Sequence, residues 1–165
     1  MACCRKGAAT GGVTLAPMDA PDHSFDRWLV ACLCADWCHV CQDYRQTFAQ
    51  LAREFAGAAG FVWVDIEDDE DALGTVEVDD FPTLLIARAG EICHFAAVMP
   101  NAPAGQRLVR RALAGELAPL GDAYLAGLPE RLHALRRARG KPEIDDGQFR
   151  LTVDVQISVG DTNAA

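Results

Sequence analysis

Trp28-Leu-Val-Ala-Cys-Leu-Cys34 is an unbroken apolar run of strand length. A strand with one face in water alternates apolar and polar residues, so a run without alternation has to be covered on both faces, as an interior strand of an α/β sheet is. The run delivers the chain to Trp37-Cys38, and a different pattern follows. From Val40 to Phe55 the apolar positions Tyr44, Phe48, Leu51, Ala52 and Phe55 recur at spacings of three and four, as on an amphipathic helix ended by Gly57 to Gly60. A second strand is expected over Phe61–Ile66, with a short helix around Asp71 to Thr75 after the acidic stretch Glu67-Asp-Asp-Glu-Asp71, whose carboxylates complement a helix start. Strand and helix in alternation imply parallel pairing.

Phe81-Pro82-Thr83-Leu-Leu-Ile-Ala87 reads as a third strand opened by proline. Arg88 to Glu91 is a turn into a fourth, Ile92 to Val98, and so short a connection makes that pair antiparallel. Residues 104–117 place Leu108, Val109, Ala112, Leu113 and Leu117 on one side of a closing helix. The expected fold is therefore α/β, a central mixed sheet flanked by helices over residues 24–117. Residues 1–23 form a flexible lead-in in which Val13-Thr14-Leu15 is a candidate edge strand. Residues 118–165 form a C-terminal extension: a basic helix over Pro129–Arg139, a linker from Gly140 to Gly147, and an alternating strand over Phe149–Val159 that adds to the sheet, pairs with another subunit or stays loose.

Composition narrows the function classes. With 165 residues, 50% hydrophobic and 24% charged, the chain is the size of one soluble domain with one core, and it contains no apolar run of the roughly 20 residues a membrane span requires. The basic pair Arg5-Lys6 is followed by glycine and single apolar residues rather than a secretory core. The seven cysteines are an odd number without the spacing of a disulfide framework, so a cytoplasmic, reducing location is expected. Net charge is −9, of which −7 falls on residues 1–115; such a surface repels phosphate backbones and anionic lipid, so neither nucleic acid nor membrane is expected as a partner.

The chemistry is concentrated in Cys38-His39-Val40-Cys41. At the junction of a buried strand and a helix, the first sulfur meets unpaired backbone N–H groups and the positive end of the helix dipole, which favour the thiolate that attacks a disulfide. Cys38 is thus the candidate nucleophile. One helical turn later, Cys41 can attack the mixed disulfide and release the reduced substrate, which makes it the candidate resolving thiol. Two other readings compete with this one. Cys32, Cys34, Cys38 and Cys41 form C-x-C-x3-C-x2-C, and Zn2+ accepts four thiolates, but converging all four sulfurs from a regular strand and a helix would need an irregular backbone, so no metal and no cofactor is assigned. The domain could also serve as a binding or chaperone-like module with incidental cysteines. Cys32, Cys34 and Cys93 read as small apolar core residues, Cys3 and Cys4 as tail residues without a role. Asp65 reads as a cap of the turn after its strand, and the 67–71 run as a solvated face.

Ala35-Asp-Trp-Cys-His-Val-Cys41, Val64-Asp-Ile-Glu67, Phe81-Pro-Thr-Leu-Leu85 and Gly90-Glu91 together resemble the thioredoxin family, in its order and nearly its spacing, over about residues 24–117. The resemblance implies a thioredoxin-like fold, a protein-disulfide oxidoreductase with Cys38 and Cys41 as its redox centre, and a cis peptide bond before Pro82 on a loop facing the cysteines. It also implies that Trp37 shields one side of the sulfurs, that His39 and Val40 tune the couple, and that Phe81, Pro82 and Thr83 bind an extended substrate segment through the backbone. Its implied partners are protein disulfides and, as electron donor, a thioredoxin reductase or another dithiol. The chain departs from the family pattern in four respects. Cys32 stands where thioredoxins carry a buried acid that assists proton transfer to the resolving thiol, and His39-Val40 replaces Gly-Pro, an imidazolium beside Cys38 favouring its anion while Asp36 and Asp43 oppose it. Gln42 stands for a basic residue and Val98 for a glycine near the substrate groove, so slow turnover by a general reductase is expected.

Overall fold

The computed structural model describes residues 27–140, together with the backbone of 143–145 and 148–150. The candidate strand at 13–15, the lead-in, Cys3, Cys4 and His23 lie outside the described residues, as do residues 151–159 of the alternating segment. A four-stranded sheet runs in the order β2-β1-β3-β4, with β1 at Trp28–Cys34, β2 at Gly60–Asp65, β3 at Thr83–Arg88 and β4 at Glu91–Ala97. β1 pairs parallel with β2 (Leu29 opposite Gly60, Cys34 opposite Asp65) and antiparallel with β3 (Leu33 opposite Thr83). β3 and β4 are antiparallel, with a bulge between Ile86 and Ala87, joined through Ala89 and Gly90, both at positive φ. This is the mixed sheet expected from the connection lengths.

All residues of β1 are buried, for the reason its apolar run implied: successive side chains point to opposite faces, and both faces are covered. Trp28, Val30, Cys32 and Cys34 point to one side, against Cys41, Tyr44, Phe48 and Leu51 of helix α1 (His39–Glu54) and Val109 and Ala112 of helix α3 (Ala102–Leu113). Phe48 meets Phe61 and Trp63 edge-on, at ring-centroid distances of 5.5 and 5.7 Å. Gly105 is what lets α3 approach α1 closely, since a β-carbon there would stand 2.6 Å from Leu51 Cδ1 and 3.0 Å from Tyr44 Oη. α3 begins two residues earlier than the spacing implied, at the Asn101 cap whose side chain accepts the Ala104 N–H. It stops at Leu113 rather than 117 because the chain turns at Gly115, φ 76°.

Leu29, Ala31 and Leu33 point to the other side. There they meet Leu73 of the short helix α2 (Glu70–Leu73) and Leu128 and Leu132 of helix α4 (Leu128–Arg139), the last two without solvent exposure. Residues beyond 117 therefore complete the second core. Arg131 of α4 donates through Nε to Ala72 O at 2.9 Å and through Nη2 to Leu73 O at 3.0 Å, supplying donors to the C-terminal carbonyls of α2. Arg139 donates to Trp63 O on the outer edge of β2 at 2.9 Å and pairs with Asp69. Tyr124 Oη donates to Thr75 O and accepts from Glu77 N–H, both at 2.7 Å. Asp65 Oδ1 accepts from the N–H groups of Glu67 and Asp68, the capping role read from its position. Asp69, by contrast, is no part of a solvated face: it is buried and accepts from Asp65 N–H at 2.9 Å as well as from Arg139. The 140–147 segment read as a linker contains a strand, β5 (Glu143–Asp145), paired antiparallel with β6 (Gln148–Arg150). No helix among the described residues is long and apolar enough to cross a membrane.

Candidate active site

β1 ends at Cys34, and the turn 35–37 carries the chain onto α1, whose N-cap is Cys38 in extended conformation (φ −83°, ψ 108°). Backbone hydrogen bonds hold this corner: Cys38 N–H donates to Ala35 O at 3.0 Å, and Cys38 O accepts from Gln42 N–H at 3.1 Å. Gln42, one of the departures from the family pattern, fastens the turn to the helix by donating from Nε2 to Asp36 O at 2.6 Å. Cys38 is a free, half-buried thiol, and no acidic residue lies in the first turn of α1. Asp36 is exposed and lies 4.0 Å from Arg45 Nη2, so a cation one and a half turns along the helix faces the carboxylate expected to act on the sulfur.

Around Cys38 the surface is apolar. Trp37 is 61% and Val40 45% exposed, and Trp37 packs edge-on against Phe81, ring centroids 5.7 Å apart. The Phe81–Pro82 bond is cis, as the resemblance implied. Thr83 pairs with Leu33 near the end of β1, so the Phe81-Pro82 segment leaves the sheet at the end where α1 begins. Thr83 Oγ1 donates to Asp80 O at 2.8 Å, and Pro82 O accepts from Val98 N–H at 2.9 Å. Trp37, Cys38, Val40 and Phe81 are thus brought together, with His39 exposed beside them.

The buried side of the corner departs from expectation. Cys41 is bonded to Cys34, with the two α-carbons 5.9 Å apart, and not to Cys38. Cys34 is therefore no inert filler of the core, and the physical reason is positional. Alternate residues 28, 30, 32 and 34 of β1 share the face under α1, and the buried side of the first helical turn sets Cys41 directly above the last of them. Cys32 follows the same rule: its sulfur lies 3.7 Å from Cys34 Sγ, and β1 needs no irregularity to bring them together. Complete burial pushes the Cys32 thiol well up, only partly opposed by Arg45, so this position, where the family has an acid, carries a proton it does not readily release. Among the described residues no group of three or more His, Cys, Asp or Glu side chains is arranged to hold a metal ion. Arg45 is the site residue that sequence reasoning missed. It faces Asp36, lies 4.9 Å from the centroid of the Trp63 ring and acts on Cys32; its place on α1 one turn beyond Cys41 was the available signal.

Comparisons with known proteins point to one family. The model of the family described as Thioredoxin matches residues 22–104, half of the chain. Thioredoxin from Bacillus subtilis (strain 168) is 26% identical over 104 residues, which span 60% of this chain and all of that protein. Thioredoxin H4 from Arabidopsis thaliana is 28% identical over 86 residues, 52% of this chain and 71% of that one. Among solved structures, the germline-specific thioredoxin Deadhead from Drosophila melanogaster is similar at a TM-score of 0.46 and 21% identity, covering 59% of this chain and 87% of its own. With a mixed four-stranded sheet between two helical layers, a cysteine pair at the head of α1 and a family model matched across both, this chain belongs to the thioredoxin family.

Proposed function

We propose that the protein exchanges thiols with protein disulfides, Cys38 attacking and Cys41 resolving. The Cys38 thiolate attacks one sulfur of a substrate disulfide, and the other substrate sulfur leaves as a thiolate. Cys41 then attacks Cys38 Sγ; the Cys38–Cys41 bond forms, the mixed disulfide breaks, and the second substrate sulfur leaves. Two electrons pass to the substrate and two protons follow from the thiols or solvent. The observation that carries this reading is the position of Cys38: a half-exposed free thiol on the N-cap residue of α1, at the helix end whose first N–H groups have no partner within the helix. Trp37, Val40 and Phe81 supply an apolar rim, and the backbone on either side of Pro82 is the edge an extended substrate segment would pair with. The working site is the cytoplasm, and the electrons come from a thioredoxin reductase or another dithiol donor.

Insulin reduction with dithiothreitol tests the reading. Wild-type protein is expected to accelerate precipitation of the free insulin chain, and Cys38→Ser to fall to the uncatalysed rate. Equal rates for the two proteins would assign the fold to a binding module and remove the enzymatic reading.

A further inference from the structure

The site contains two sulfurs more than a two-cysteine exchange uses, Cys32 and Cys34, and of these Cys34 is the one bonded to Cys41. Cys34 ends β1 on the face beneath α1, within bonding range of Cys41, and is bonded to it in the structure; its α-carbon separation of 5.9 Å lies in the ordinary range for a bridged pair. Cys41 therefore stands between two possible partners, Cys38 one helical turn before it and Cys34 below it. Solvent distinguishes them: Cys34 is 0% and Cys41 1% exposed, whereas Cys38 is half-buried at the surface.

We propose that Cys34 is a third redox thiol of this site, which takes Cys41 from Cys38 by internal exchange and returns Cys38 to the free state. This rests on the disulfide-exchange reading above. After a substrate has been reduced, the Cys38–Cys41 bond is in place. The Cys34 sulfur gives up its proton and attacks Cys41 Sγ; the Cys34–Cys41 bond forms, the Cys38–Cys41 bond breaks, and Cys38 leaves as a thiolate that takes up a proton. Nothing is oxidised or reduced overall, and no external reagent is consumed. The product holds the oxidised pair away from solvent, Cys34 at 0% and Cys41 at 1% exposure, and attack of Cys38 on Cys41 brings the disulfide back to the surface. Cys38 is meanwhile the one free cysteine among the described residues that is not buried, and it can hold a second sulfur compound as a lasting mixed disulfide, because its resolving partner is occupied.

The test follows the exchange in the whole protein. Reduced protein is oxidised with one equivalent of 5,5'-dithiobis(2-nitrobenzoate), whose release of both coloured thiolates per chain reports one new disulfide, assigned to Cys38 and Cys41 by peptide mapping at the earliest time. After desalting, portions are alkylated natively with N-ethylmaleimide at increasing times and mapped by mass spectrometry. The expected result is label growing on Cys38 at constant total thiol content, as the Cys38–Cys41 peptide gives way to the Cys34–Cys41 peptide. In Cys34→Ala the Cys38 label is lost and the Cys38–Cys41 link persists. If the wild type releases both thiolates but holds only Cys38–Cys41 at all times, the third-thiol proposal is wrong and the exchange function stands. If it releases neither, both fall together. The wild-type time course decides the matter even if Cys34→Ala fails to fold.

Discussion

Replacing Leu132 with alanine should unfold the protein at markedly lower denaturant, although residue 132 lies beyond the segment that the family model matches. Leu132 has no solvent exposure and sits with Leu29, Leu33, Val64, Leu73 and Leu128 in the core on the α4 side of the sheet. Truncation removes burial worth about 2 kcal/mol and leaves a cavity in a layer held by a sheet on one side and a helix on the other, for a total near 3 kcal/mol. With a urea m-value of about 2 kcal/mol/M, the midpoint should fall by about 1.5 M. Arg137→Ala, on the exposed side of the same helix, should change stability by less than about 0.5 kcal/mol. Urea titrations followed by tryptophan fluorescence compare the two, since Trp63 and Trp28 are buried in the same sheet. Equal midpoints for both variants would show that α4 does not belong to the cooperative core, and the assignment of Leu128 and Leu132 to it would be refuted. Because α4 covers the face away from α1, insulin reduction below the transition should be unaffected.

Three further outcomes follow from the packing and electrostatics. Asp69→Asn takes the carboxylate from Arg139 inside a largely buried contact and should cost about 2 kcal/mol, a melting-temperature drop of about 5 °C by differential scanning calorimetry; an unchanged melting temperature would show the pair to be incidental. His94 is half-buried with Nε2 unpartnered, and burial holds its proton affinity below the usual imidazole value, the backbone at Ala96 partly opposing. The unfolded chain therefore takes up the proton first as pH falls, so wild-type stability should decline below about pH 6.5 until the folded imidazole titrates, a slope that His94→Gln should flatten. Gly105→Ala places a methyl against Leu51 and Tyr44, and although alanine favours helix, the overpacking should leave a net loss of about 1 kcal/mol in a chemical melt; a stabilised variant would show that α3 can move off α1.

The parts of the molecule legible in the sequence are those set by local pattern. The unalternating run at 28–34 gave a strand covered on both faces, the three-and-four spacing after Val40 gave α1, and the short Ala89-Gly90 connection required an antiparallel pair. The cis bond at Pro82 came from the resemblance carried by Phe81-Pro-Thr, since no periodicity would have indicated it. What escaped depends on contacts distant in sequence. Asp69 sits in an acidic run that reads as solvated, and its partner Arg139 is 70 residues away. On α4 the sequence marks Leu132 and Leu135 as the apolar side, and both pack on the sheet, but Leu128, one residue before the expected start of the helix, is buried beside them. Cys34 is a different kind of miss: the alternation of β1 put residues 32 and 34 on the same face, and the helical turn put Cys41 over that face. Each rule was in hand, and only their intersection in space makes Cys34 a partner rather than a filler.

Capturing the substrate on Cys38 would decide whether this corner of the fold is a reaction centre. Cys41→Ser protein, incubated with insulin and quenched in acid, should yield a covalent adduct in which peptide mapping places an insulin cysteine on Cys38 and which dithiothreitol dissolves, whereas Cys38→Ser yields none. An adduct carried by another cysteine, or no adduct from a folded Cys41→Ser protein, would contradict attack by Cys38 and with it the exchange chemistry assigned to the chain.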